Sequence, residues 1–240
     1  MTDKDKLIGP LLSRREVLAV LGTAGAVWLT GGRRAGAQSI SSYCLVRPEQ
    51  TEGPYFVDER LHRSDIRSDP TDKRLTPGVP LTVAFQVMWL KAGECRPLSD
   101  AQVDIWHCDA RGIYSDVQDP GFDTTGQKFL RGYQLTDREG TVRFHTIYPG
   151  WYPIRTVHIH VKIRTAPVAR RRYEFTSQVY FPDDLTDRVH TALPYSSKGR
   201  RRVRNPHDFI FRDGGDRLML QPAETNNGYA ATFPITLMEP

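Results

Sequence analysis

Tyr148-Pro149-Gly150-Trp151-Tyr152-Pro153-Ile154-Arg155-Thr156-Val157-His158-Ile159-His160-Val161-Lys162-Ile163 is a turn that runs into a strand. Pro149, Gly150 and Pro153 keep its first half out of regular structure, since proline lacks an N–H and glycine adopts conformations other residues avoid. From Val157 onward apolar and polar residues alternate without a break, the period of a half-buried strand. Successive strand side chains leave opposite faces. Val157, Ile159 and Val161 therefore share the face turned to a core, and His158 and His160 share the other. Two imidazoles side by side are half of a metal site, or a pair of polar groups on an outer face.

Outward from this strand, further short runs of strand type recur between turn signals, giving in all residues 81–90, 101–108, 130–136, 141–147, 156–164, 174–181, 217–221 and 229–237. Asp137-Arg138-Glu139-Gly140 reads as a hairpin turn, with Gly140 placed for positive φ. Pro182-Asp183-Asp184-Leu185 reads as the opening of one short helix. Residues 38–80, dense in Pro, Asp, Arg and Ser, read as irregular. About eight short strands at this spacing predict an all-β fold: a β-sandwich with long irregular N-terminal and connecting loops. The 240 residues suffice for one good-sized core, for which ten Tyr, ten Phe and four Trp supply material. The 17 Pro and 19 Gly follow no period, which excludes a collagen-like chain. No apolar stretch reaches the ~20 residues of a membrane-spanning helix.

The first 37 residues read as an export signal. Ser13-Arg14-Arg15-Glu16-Val17-Leu18 has the twin-arginine pattern, an apolar run follows from Val17 to Thr30, and Ala35-Gly36-Ala37 offers a cleavage site before Gln38. Residues 38–240 then form one domain, with a periplasmic or extracellular address and no membrane association once the signal is removed. The leader holds six of the Lys/Arg and three of the Asp/Glu, so the remainder, with 27 and 25, is close to neutral. Two basic runs remain, Arg170-Arg171-Arg172 and Lys198 to Arg204, and no nucleic-acid motif accompanies them. Twin-arginine export carries folded proteins and suits a cofactor loaded before export. An oxidising destination permits a disulfide; Cys44, Cys95 and Cys108 allow three single bridges with one thiol left over.

The partners of His158 and His160 must come from elsewhere. A ferrous site of two histidines and one carboxylate needs an Asp or Glu, and none lies in residues 148–160; Asp104 and Asp109 are nearby in sequence but not marked out. Tyr152, six residues before His158, and Tyr114, closing Trp106-His107-Cys108-Asp109-Ala110-Arg111-Gly112-Ile113-Tyr114 after a strand, are better placed. His107 and His145 alternate on strands and could support such a site, whereas His62, His190 and His207 read as surface residues.

Four motifs in order, Thr51-Glu52-Gly53-Pro54-Tyr55-Phe56, Val103-Asp104-Ile105-Trp106-His107 through Gly112-Ile113-Tyr114, Gly150-Trp151-Tyr152-Pro153 with His158-Ile159-His160, and Thr176-Ser177-Gln178-Val179-Tyr180-Phe181, resemble the intradiol ring-cleavage dioxygenases. This is the family of catechol 1,2-dioxygenase and protocatechuate 3,4-dioxygenase, and the likeness is greatest to its exported single-domain branch, from about Cys44 to about Leu237. The resemblance implies a ferric ion, Fe(3+), held by Tyr114, Tyr152, His158 and His160, with Arg155 and Gln178 as active-site residues and Tyr55 in the substrate-side loop. It implies a catechol-type substrate and O2 as partners, both oxygen atoms entering a cis,cis-muconate product. Compared with the cytoplasmic members, the link from Tyr152 to His158 is short, and the helical N-terminal dimerisation segment has no counterpart; an oligomer is possible but unassigned.

The donor set suits that chemistry. A free phenol loses its proton near pH ~10, so holding two phenolates at neutral pH takes a strongly Lewis-acidic ion, and two anionic oxygens favour iron(III) over iron(II). Two other readings make different demands. A ligand- or carbohydrate-binding module on the same fold needs no convergence of two tyrosines and two histidines. A copper or ferrous oxygenase needs a third histidine or a carboxylate.

Overall fold

A computed structural model describes residues 44–165 and 173–238. The expected leader, residues 1–37, and the run Arg170-Arg171-Arg172 lie outside the described residues. The described chain is mostly strand: β1 (Pro80–Lys91), β2 (Glu94–Pro97), β3 (Gln102–Trp106), β4 (Gln118–Asp119), β5 (Phe122–Asp123), β6 (Arg131–Leu135), β7 (Thr141–Ile147), β8 (His158–Arg164), β9 (Glu174–Tyr180), β10 (Ala223–Thr225) and β11 (Gly228–Met238). One helix, α1 (Asp183–Val189), follows Pro182.

β1 organises the first sheet. It pairs with β11 in parallel along one edge; along the other it meets β7 from Pro80 to Gln86 and β2 from Met88 to Lys91, both antiparallel. The second sheet is antiparallel in the order β6-β3-β8-β9. The two sheets share one core, to which β1 sends Leu81, Val83, Phe85 and Val87, β7 Val142 and Phe144, β11 Phe233, Ile235 and Leu237, β3 Val103 and Ile105, and β8 Ile159, Val161 and Ile163. Every one of these comes from alternate positions of its strand, the period-2 signature of a sandwich. The β-sandwich expected from the strand spacing is the observed fold.

The expectation fails in one element and is incomplete in others. Residues 217–221 are not a strand: Gly214 takes a left-handed φ of 78°, Gly215–Leu218 is a 3-10 turn, and pairing is limited to a bridge between Met219 and Tyr180. Leu218 and Leu220 alternate and are buried, but on a curved backbone. Short edge strands β2, β4, β5 and β10 carry too few apolar residues to show a period. The disulfide joins Cys44 to Cys95, tying the chain before β1 to β2, and leaves Cys108 buried and free.

Candidate metal centre

β8 puts its two histidines on the face turned away from the core, as the alternation requires. The register places His160 between Trp106 of β3 and Gln178 of β9, and His158 opposite Tyr180. That face is not open to solvent: His158, His160, Trp106 and Gln178 are all buried, because residues 51–56 and the loops after β3 and β7 lie over it. Trp106 stacks flat on the His160 ring, with centroids 4.8 Å apart and planes 7° apart. The outer-face reading of the pair, as two solvated polar groups, does not hold.

Two glycines bring the tyrosines to this face. Gly112, at φ 82°, and Gly150 lie so close to the opposing chain that a Cβ on Gly112 would collide with the Trp151 carbonyl, and one on Gly150 with the carbonyls of Asp109 and Ala110. Gly150 N–H also donates to the Asp109 carbonyl at 3.1 Å. The loop carrying Tyr114 is thereby pressed against the loop carrying Tyr152, and the rings pack edge to face with centroids 5.6 Å apart.

The four side chains expected to act together do converge. Tyr152 Oη lies 3.2 Å from His158 Nε2, which lies 3.0 Å from His160 Nε2. The Tyr114 ring stands 6.2 Å from that of His160. His158 Nδ1 donates to the Thr156 carbonyl at 2.7 Å, so its Nε2 carries the lone pair, facing the cluster. Burial lowers the pKa of both imidazoles well below 6.5, with the Arg155 cation and His107 adding to it for both and His158 for His160. Burial likewise raises the phenols of Tyr114 and Tyr152 well above 10. Among the described residues, Tyr114 Oη and His160 Nδ1 are buried with no hydrogen-bond partner. An orphaned buried hydroxyl costs about 1–3 kcal/mol, a cost that a ligand bound at that oxygen would relieve.

Arg155 and Gln178 meet beside this cluster. Asp208, fully buried, accepts at Oδ2 from Arg155 Nε (2.8 Å) and from Thr156 N (2.6 Å), and at Oδ1 from Ile210 N (2.8 Å) and Phe211 N (2.9 Å). Arg155 Nη2 donates to Gln178 Oε1 at 2.5 Å, and Gln178 Nε2 donates to the Thr51 carbonyl at 2.9 Å. Burial opposes the charge of Arg155, but Tyr152 and Asp208 outweigh it and its pKa is raised. Gln178 is thus a brace between Arg155 and the N-terminal segment, with both ends of its amide in use. Tyr55 stacks on Tyr114 at 4.4 Å and donates its hydroxyl to Asp119 Oδ2 at 2.8 Å; burial and Asp119 push its phenol up to about 12.

Sequence reading missed Asp208. Its local signal is that of an Asx turn onto Ile210 N, which says nothing of a partner 53 residues away. Two histidine assignments also change. His145 is exposed on β7 of the other sheet and supports nothing here, while His190, expected on the surface, is 8% exposed and binds the Pro149 carbonyl at 3.0 Å. His107 is buried between the Cys108 carbonyl and Thr146. Asp104 is engaged by Arg164 and Asp109 by backbone amides and Arg111. Among the described residues no group of three or more His, Cys, Asp and Glu side chains gathers.

A family model described as Dioxygenase matches residues 51–201. The solved intradiol ring-cleavage dioxygenase of Tetranychus urticae superposes with a TM-score of 0.68 at 29% identity, covering 80% of this chain and 94% of that one. The dioxygenase domain of a dioxygenase–carbohydrate-binding fusion from Streptomyces sp. SirexAA-E does so with a TM-score of 0.57 at 31% identity, covering 81% and 99%. The protocatechuate 3,4-dioxygenase beta chain of Burkholderia cepacia is 33% identical over 116 residues, 44% of this chain and 48% of that protein. The chain thus spans less than half the length of that curated relative. Motif order, sandwich topology and these likenesses agree, and the chain belongs to the intradiol ring-cleavage dioxygenases.

Proposed function

We propose that the protein is a non-haem Fe(III) intradiol dioxygenase that cleaves a catechol-type substrate with O2 to a cis,cis-muconate, acting outside the cytoplasm after twin-arginine export. The observation that carries the reading is the convergence on His158 Nε2 of Tyr152 Oη at 3.2 Å and His160 Nε2 at 3.0 Å, with the Tyr114 ring packed edge to face on Tyr152 and His160. Donors bound at about 2.1 Å and at right angles on one first-row ion lie about 3 Å apart, so the residues present fit an ion. Two phenols and two neutral imidazoles form a hard, electron-rich set suited to iron(III), and Tyr114, Tyr152, His158 and His160 would hold it. Bound there, iron supplies the Lewis acidity that takes a catechol as its dianion.

The chain's own residues divide the remaining work. Tyr152 is partly open to the outside, whereas Tyr114 is 1% exposed beneath the Tyr55 ring. Held as a phenolate by a bound ion, Tyr152 Oη would be the oxygen able to receive a proton from an arriving diol, and Tyr114 the fixed one. Arg155 holds a permanent positive charge beside Tyr152, where negative charge develops as the diol loses its protons. Asp208 and Gln178 keep that guanidinium in place. Trp106 stacked on His160 fixes the imidazole plane and keeps water from that side.

Among the described residues no carboxylate gathers with His158 and His160, which disfavours a two-histidine, one-carboxylate ferrous site. The test is the visible spectrum of iron-loaded protein 38–240, with a ring-cleavage assay on catechol. A broad charge-transfer band and formation of a muconate are expected. A colourless protein holding stoichiometric metal would exclude a ferric–tyrosinate centre.

A further inference from the structure

Two large apolar side chains are exposed on segments that also carry residues of the proposed site, Ile154 two positions after Tyr152 and Phe209 next to Asp208. Ile154, between Tyr152 and Arg155, is 71% exposed. Its φ is 67°, a left-handed conformation that is a marked outlier for a β-branched residue. Neither packing nor backbone preference accounts for an isoleucine there, and strain of this kind gathers where a site needs it. Phe209 is 57% exposed, and its ring centre lies 5.9 Å from Arg155 Cζ. It is displayed rigidly: Asp208 before it holds Arg155 and Thr156, and the same carboxylate caps Ile210 and Phe211 after it. A buried clamp therefore fixes an aromatic ring in the open, next to the cation that faces Tyr152.

Resting on the dioxygenase reading above, we propose that Ile154 and Phe209 form an apolar lip that selects diols bearing an apolar alkyl or aryl substituent over unsubstituted and carboxylated ones. A substituent projecting past Arg155 would lose water against the two side chains. A carboxylate in the same place would meet apolar surface and a guanidinium whose charge Asp208 already matches.

The test compares kcat/KM of the iron-loaded protein for 4-tert-butylcatechol, catechol and 3,4-dihydroxybenzoate in the wild type, Phe209→Ala and Ile154→Asn. Asparagine tolerates the left-handed backbone, so the second variant removes the apolar group without forcing the loop to move. The wild type should prefer 4-tert-butylcatechol to 3,4-dihydroxybenzoate. The ratio of 4-tert-butylcatechol to catechol should fall about tenfold in each variant, the scale of a lost apolar contact in a pocket. Ratios within twofold of wild type in both variants, or a wild type that prefers the carboxylated diol, would overturn the lip while leaving the dioxygenase reading intact. Cleavage of none of the three diols would overturn that reading, and the lip with it.

Discussion

Asp208 and Arg155 face each other out of reach of water, with the carboxylate 0% and the guanidinium side chain 7% exposed and Oδ2 2.8 Å from Nε. Removing one member of such a pair leaves the other charged and unpaired, typically at a cost of 3–5 kcal/mol. Asp208→Asn keeps the shape but turns an amide N–H toward groups that can only donate. It should lower stability by about that amount in urea unfolding. If Asp208 acts by positioning Arg155, kcat for catechol should fall about tenfold or more while KM changes less and the visible band persists. Loss of the band together with activity would mean that Asp208 supports the whole site instead.

Tyr114 should respond to substitution with opposite signs in the two metal states. Its hydroxyl is buried with no hydrogen-bond partner among the described residues. Tyr114→Phe removes that unsatisfied group and should stabilise metal-free protein by about 1 kcal/mol. With iron, the same change should weaken binding and bleach part of the visible band. Chemical denaturation with and without iron checks both signs.

Tyr152→Phe should leave the fold intact, since its ring is partly exposed and its hydroxyl partner is His158. Loss of part of the visible band and slower turnover by about 10²-fold or more are expected, the usual range for a group handling protons. An unchanged spectrum and rate would remove Tyr152 from the donor set.

His107 and His190 predict acid sensitivity. Burial lowers both to about 4, with carbonyl hydrogen bonds opposing it. A histidine whose folded pKa lies below its unfolded value near 6.5 binds more protons when unfolded. Stability is therefore fully present above pH ~6.5 and is lost as pH falls toward 4, by up to about 3 kcal/mol for each. Melting temperature measured from pH 7.5 to 4 should drop across that window, and the drop should be shallower in His107→Gln. A flat profile would show that the two rings are not held neutral.

The disulfide should matter to stability and not to colour. Cys44 and Cys95 are 51 residues apart in the chain, and closing such a loop is typically worth 2–4 kcal/mol. Cys44→Ser with Cys95→Ser should lower the melting temperature while iron-loaded protein keeps its band. Loss of the band would place the tether in the site's construction, through the segment that reaches Gln178 by way of Thr51.

Much of this was legible in the sequence, and the reason is period. Val157 to Ile163 alternates, so the core face and the imidazole face of β8 could be assigned without a structure. The phenols could not be assigned that way: Tyr114 and Tyr152 sit in loops, where a single tyrosine is more often packing than chemistry, and the resemblance of their motifs marked them. Gln178 was marked the same way, but that its amide is a brace depends on Thr51 and Arg155, which come from distant segments. Asp208 had no periodic or motif signal at all. Residues 217–221 misled because Leu218 and Leu220 alternate like a strand while Gly214 turns the backbone.

The two faces of β8 also tie assembly of the centre to alignment of the sheet. A slip of β8 by one residue against β3 and β9 would send the imidazoles inward and Ile159 and Val161 outward. Aliphatic side chains would then stand where nitrogen donors are needed, and polar rings would interrupt the hydrophobic interior. Only the observed pairing, Trp106 with His160 and His160 with Gln178, serves both demands. If the proposed ion binds there, its loading would also report strand alignment: a misaligned chain could neither pack nor be loaded, and uptake of the ion would favour the native register.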